Sequence, residues 1–352
     1  MGMKRRMALA GGAFILAGCG KAAYERAAQS TWAPTFGQPD TLRELVRYAA
    51  MAPSSHNSQC WKFRLSERRI TILPNLARRC PAVDPDNHHL FVSLGCATEN
   101  LMEAALAHGY QGVAMPSAEG IEIALAPVAA TRSELFAAIP ERQSTRTEYN
   151  GRPLLPVELQ MLEQAGAGEG VRMILITERR AMENVLEYVV RGNTAQMNDP
   201  AFVTELKRWI RFSDAEAAET RDGLFARASG NPAMPGWLIR PLFSQFFTEK
   251  GENEKYARHV RSSAGIAVFV SAASDPVHWI NVGRAFERFA LQATALGIRT
   301  AHLNQPVEVS ALRPQFASFL GISSGRPDLV VRFGRGPLMP RSLRRPVEAI
   351  LV

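Results

Sequence analysis

Residues 93–110, SLGCATENLMEAALAHGY, align without a gap against residues 281–298, NVGRAFERFALQATALGI, at an offset of 188. Gly95 meets Gly283, Glu99 meets Glu287, Ala105 meets Ala293, Ala107 meets Ala295 and Gly109 meets Gly297, while apolar Leu101 meets Phe289. Leu94, Ala97, Leu101, Ala104 and Ala105 fall at spacings of three and four, which predicts a buried helix closed by a glycine. A β-rich apolar run precedes each copy, RITILPN and GIAVFVSA, and a further strand candidate follows each. A chain that repeats such a unit folds as two related halves. The sequence therefore predicts an α+β molecule with a first half at about 40–130 and a second at about 131–352.

The second half is the longer one. Its surplus, about 195–257, contains TELKRWIRFSD and PAMPGWLIRPLFSQFF, with Trp209, Trp237, Phe243, Phe246 and Phe247 set among Gly, Pro and charged residues. So many large apolar side chains do not belong to a bare loop. Two readings stand: an inserted lid, or a segment that meets a membrane surface or a partner.

Residues 1–19 are expected to be an export signal. MGMKRR is a basic start, an apolar run too short to remain as a span follows, and LAGC resembles the lipobox of bacterial lipoproteins, with Cys19 as the lipidated residue. Arg5 and Arg6 resemble a twin-arginine signal in part, and an ordinary secretory signal fits as well. These features predict an exported, periplasmic protein held at a membrane by Cys19, with 20–39 as a linker. The formal charge is +8, and loss of the signal removes three basic residues. The remaining basic residues are spread along the chain, which argues against nucleic acid as a partner. Cys60, Cys80 and Cys96 show no CxxC spacing and suggest neither a zinc site nor a redox dithiol; a disulfide stays open, and Cys60 and Cys96 read as small buried hydrophobes.

Arg142, Ser144 and Arg146 in ERQSTRTEY occupy every second position, so an extended backbone would project them from one face. A solvated basic loop would look like this. So would a phosphate pocket, because guanidinium forks match phosphate oxygens bidentately. Upstream, YAAMAPSSHNSQCWKF ends a helix near Pro53 and clusters hydroxyls and amides before a strand. DPDNHHL lacks metal-ligand spacing and reads as a polar turn, with adjacent histidines pointing apart in a strand. No GxGxxG follows a strand, and no GxSxG elbow is present.

Taken together, APSSHNSQCW and RQSTRTEY resemble the two FMN-contacting motifs of the nitroreductase family, with Cys60 standing where that family usually has Pro. The closing GRPDLVVRFGRGPLMPRSLRRPVEAILV resembles its last strand and tail, and the whole is similar to the single-chain, duplicated Acg-like branch. In ordinary members the arginine motif precedes the amide motif, and FMN lies between two chains. Here the order is reversed, as in a pseudo-dimer fused into one chain. The resemblance implies a monomer resembling a dimer, with one FMN contacted by Pro53, Ser54, Ser55, Asn57 and Gln59 from the first half. Arg142, Ser144, Arg146, Arg341 and Arg344 would come from the second. A second flavin is not expected, since 188 beyond Ser54 lies Leu242, with no amide cluster around it. The implied activity is reduction of an electron-poor small molecule; the alternative is a flavin-sequestering protein closed by its lid.

Overall fold

The computed structural model describes residues 20–33 and 40–352. Cys19 and the rest of the expected signal lie outside the described residues. Ahead of the first half lies α1 (20–32), and the half itself runs through α2 (Thr41–Ala50), β1 (Trp61–Ser66), β2 (Arg69–Pro74), α3 (His88–Ala107), β3 (Tyr110–Pro116) and β4 (Ile121–Pro127). The second begins with α4 (Glu134–Ala138), α5 (Pro156–Ala165) and β5 (Val171–Ile176). A long excursion follows: α6 (Arg179–Met197), α7 (Pro200–Trp209), β6 (Ile210–Arg211), α8 (Asp214–Thr220), β7 (Leu224–Phe225), α9 (Gly236–Ile239), α10 (Phe243–Phe246) and α11 (Glu249–Arg261). The half closes with β8 (Gly265–Ser271), α12 (Pro276–Ala295), β9 (Arg299–His302), α13 (Gln305–Glu308), α14 (Arg313–Phe319) and β10 (Arg326–Gly334).

Two four-stranded antiparallel sheets result, in the orders β1-β2-β4-β3 and β5-β8-β10-β9. Strand for strand these are the same order, so the duplication extends from the repeated helix to the whole sheet. The helices α3 and α12 start and end 188 residues apart and pack on each other. Their crossing is reciprocal. A Cβ on Gly95 would lie 2.0 Å from the Ile280 carbonyl oxygen, and one on Gly283 would lie 2.0 Å from that of Val92. Only glycine lets the two backbones approach this closely. One apolar cluster then runs from Trp61, Ile72 and Ile123 through Leu101 and Phe289 to Phe269 and Val331.

The two sheets differ in what covers them. Strand β8 is buried at every position because α12 packs on one face while Val185, Val189 and Val260 of α6 and α11 pack on the other. A strand covered on both faces reads as a continuous apolar run, as GIAVFVS does. The excursion occupies the place taken in the first half by the short connection between β1 and β2. The equivalent of the segment before β1 is therefore the one before β5, GAGEG at 166–170, rather than the region around Leu242. It too carries no amide cluster.

Two arms of the second half are tied down, one beside its own sheet and one on the sheet of the first half. Thr145 N–H donates to the Thr300 carbonyl at 2.9 Å beside β9, and Phe63 N–H in β1 donates to the Ile350 carbonyl at 2.8 Å. These arms are the segments that carry the expected arginines. Residues 20–32, expected as part of a linker, are helical because Tyr24 and Ala27 bury against Phe225 and Leu343. Tyr24 Oη donates to the Arg341 carbonyl at 2.8 Å, and Trp32 Nε1 donates to that of Ser342 at 3.2 Å.

Candidate functional site

The loop 51–60 between α2 and β1 carries His56, Asn57 and Gln59 at φ of 51° each. Non-glycine residues avoid this left-handed region, and a run of them marks a loop whose shape is imposed by its surroundings. Ser54 Oγ accepts the Gln59 N–H at 2.9 Å and helps hold that shape. Beside this loop lies a cavity of about 450 Å³. A smaller one of about 40 Å³ shares Pro53, Ser54, Ser144, Arg146 and Leu224 with it. Arg142, Arg341 and Arg344 also line the smaller cavity. The structure thus brings the serine-rich loop and the arginine motif to one place, with four guanidiniums around a chamber of few-atom size.

The four arginines are not equivalent. Arg142 pairs with buried Glu287, Nε to Oε1 3.1 Å, and its Nη2 donates to the Met51 carbonyl at 2.9 Å. Arg344 Nη2 donates to the Met51 and Ala52 carbonyls, each at 3.0 Å. Both cations sit at the C-terminal end of α2, where the helix dipole favours them. Burial, with Arg142 nearby, brings Arg344 down to about 9. Arg341 bonds the Pro140 carbonyl and Glu141. Arg146 alone of the four makes no hydrogen bond or ion pair through its guanidinium among the described residues, and burial pulls its pKa below the ordinary value. A half-buried guanidinium without a protein partner is free to bind an anion by charge-assisted hydrogen bonds.

Asn57 lines the smaller cavity, and its amide and that of Gln59 also bond within the protein. Asn57 Nδ2 donates to the Gly223 and Leu343 carbonyls, each at 3.1 Å, and Gln59 Nε2 donates to that of Arg221 at 2.8 Å. Gln59 Oε1 accepts the Arg345 N–H at 2.8 Å. These amides tie the loop to the excursion and the tail. Gln59 does not line either cavity. Pro53, Ser54 and Ser55 do face the larger one.

Sequence reasoning did not single out most of the larger cavity. His56, His302, Asn304, Gln305, Tyr256, Glu308 and Lys255 supply polar groups, and Phe202, Leu206, Phe212, Ile239, Phe243 and Phe247 of the excursion supply an apolar wall. Burial, reinforced by Arg146, lowers His302 to about 3 and His56 to about 4, so both rings are neutral at pH 7. Burial raises Glu308 to about 7, although its Oε2 accepts a 2.6 Å hydrogen bond from Gln196 Nε2. The Asn-Gln pair after β9 was the available sequence signal.

Trp209 and Phe243 are buried, whereas Trp237 is 79% exposed. His88 and His89 open α3 instead of lying in a strand, and their rings are 3.8 Å apart. Ligand atoms of Asp84, His88 and His89 lie within 4.8 Å of one another, but Asp84 accepts the N–H groups of His89 at 3.1 Å and Leu90 at 2.9 Å. His88 is held by Asp84 and Asp86, and Asp86 in turn pairs with Arg313 and Arg326. These groups start a helix. Cys60, Cys80 and Cys96 are buried free thiols.

No family model matches the chain. It is 22% identical over 332 residues to a protein of Mycobacterium tuberculosis H37Rv named "Putative NAD(P)H nitroreductase Rv3131", covering 90% of this chain and 92% of that one. It is 20% identical over 324 residues to "Putative NAD(P)H nitroreductase acg" of the same strain, covering 88% and 95%. Along most of its length the chain is thus similar to proteins named as nitroreductases. Among solved structures, a Desulfitobacterium hafniense nitroreductase with bound FMN aligns over 63% of this chain and 98% of its own at 13% identity, with a TM-score of 0.39. In this chain the excursion between β5 and β8 lines the cavity opposite the serine-rich loop.

Proposed function

We propose that this chain is an FMN-dependent oxidoreductase that binds one flavin and reduces an electron-poor small molecule such as a nitroaromatic or a quinone. The observation that carries the reading is the pair of neighbouring cavities that share Pro53, Ser54, Ser144, Arg146 and Leu224, one ringed by four arginines and the other large enough for a planar ring system. Arg146, with Ser54 and Ser144, would hold the phosphate by charge-assisted bonds, while Arg142, Arg341 and Arg344 keep that chamber positive and fix its walls. Pro53, Ser55 and His56 would border the remainder of the cofactor. Bound FMN supplies hydride transfer, so the protein binds, orients and tunes it.

The apolar wall from Phe212 to Phe247 would shield one side of a bound flavin from water and restrict access to it. That wall supports a second reading, a flavin-holding protein that turns over slowly. Anaerobic mixing with NADPH, followed at the flavin absorbance, separates the two. Rapid bleaching followed by reoxidation with a nitroaromatic supports the enzyme, and bleaching by dithionite alone supports the holding protein. We also infer from LAGC that the chain is exported and that Cys19 carries the lipid anchor.

A further inference from the structure

We propose that the α9 turn of the excursion docks on the bilayer that holds the anchor, burying Trp237 and Leu238 in the lipid interface. The inference rests on the reading of Cys19 as the lipid attachment point and goes beyond it, because an anchor alone leaves the protein free to tumble on its tether. Gly20, one peptide bond after Cys19, packs against α8: a Cβ there would lie 3.2 Å from that of Ala215. The next residue of α8, Glu216, touches Gly236 at the start of α9 and pairs with Arg240 just after it at 3.3 Å. Neighbouring residues of one helix therefore hold the lipid-bearing end of the chain and the α9 turn.

The turn has the chemistry of an interfacial contact. Trp237 is 79% exposed and Leu238 39%, whereas Trp32, Trp61, Trp209 and Trp279 are buried. Pro232, Pro235 and Pro241 around it are exposed and bring no backbone N–H that would have to leave water. Tryptophan, with an apolar body and one polar N–H, favours the level of the lipid headgroups. Lipid chains on Cys19 hold the protein at the membrane, and apolar contact at the surface would orient it there. Ile239, in the same turn, faces inward and lines the large cavity. The surface that meets lipid is thus the outside of the cavity wall.

The test is made on the full-length lipidated protein, extracted from membranes and reconstituted into phosphatidylcholine vesicles with either plain or brominated acyl chains. Emission is compared between the parent and Trp237→Phe, an exposed replacement that leaves the fold intact. The proposal expects the emission contributed by Trp237 to be blue-shifted on vesicles, mostly lost with brominated lipid and shielded from aqueous iodide. Protein that sediments with vesicles while this emission stays iodide-accessible and unquenched by bromine overturns the docking and leaves the anchor standing. Protein that fails to sediment overturns both.

Discussion

Arg146 and Arg142 sit four residues apart on one arm, and their surroundings give them opposite roles. Arg146→Ala removes a guanidinium with no protein partner among the described residues, so it should weaken FMN binding by about 1.5–3 kcal/mol, about 10- to 150-fold in Kd, at unchanged stability. Arg142→Ala strands buried Glu287 and should cost roughly 3–5 kcal/mol of folding stability. Fluorescence titration with FMN and urea unfolding measure the two effects, and equal loss of stability in both variants would refute the division. The alternation of Arg142, Ser144 and Arg146 was legible in the sequence. Which cation was already engaged was not, because Met51 and Glu287 come from distant parts of the chain. The hydrogen bonds that Asn57 and Gln59 make with the excursion and the tail were hidden for the same reason. Glu308 offers a second test. Burial raises it from 4.5 to about 7, so between those values the folded protein keeps a proton that the unfolded chain has released, and stability falls as pH rises, by about 3 kcal/mol in full. His56 and His302, half-buried and neutral, act in the opposite sense below pH 6.5. The informative quantity is therefore the difference between parent and Glu308→Gln: nearly equal stability at pH 4.5, with the variant ahead at pH 7.5. A constant difference across this range would contradict the assignment.

Helices α3 and α12 owe their legibility to composition: a buried helix at a crossing must keep its small residues in register, and Gly95 and Gly283 preserve that register across the duplication. Gly95→Ala and Gly283→Ala should each destabilise the protein by roughly 1–3 kcal/mol or more, since a backbone carbonyl, not a flexible side chain, meets the new methyl group. Thermal unfolding reads this directly, and a variant as stable as the parent would show that the crossing has slack. Strand β1 and its counterpart β5 escaped the offset because the excursion separates β5 from β8. Counting residues fails across an insertion, whereas strand order does not. Helix α1 was hidden for another reason: its apolar face is completed only by Phe225 and Leu343, far along the chain.

At the scale of the whole molecule, the two arms of the second half place the arginine motif against the serine-rich loop within one chain. The excursion then covers the cavity between them. The reversed motif order and the surplus length of the second half made this arrangement readable, while the polar lining around Tyr256, His302 and Glu308 depended on the fold. If the account is right, one chain makes one complete flavin site and needs no second copy to do so. The most direct measurement is the flavin content of the purified protein: cofactor released by heat, identified by chromatography and counted against protein concentration. The account predicts FMN at about one per chain, depleted in Arg146→Ala. FAD in its place, or no flavin retained after incubation of the folded protein with FMN, would contradict it.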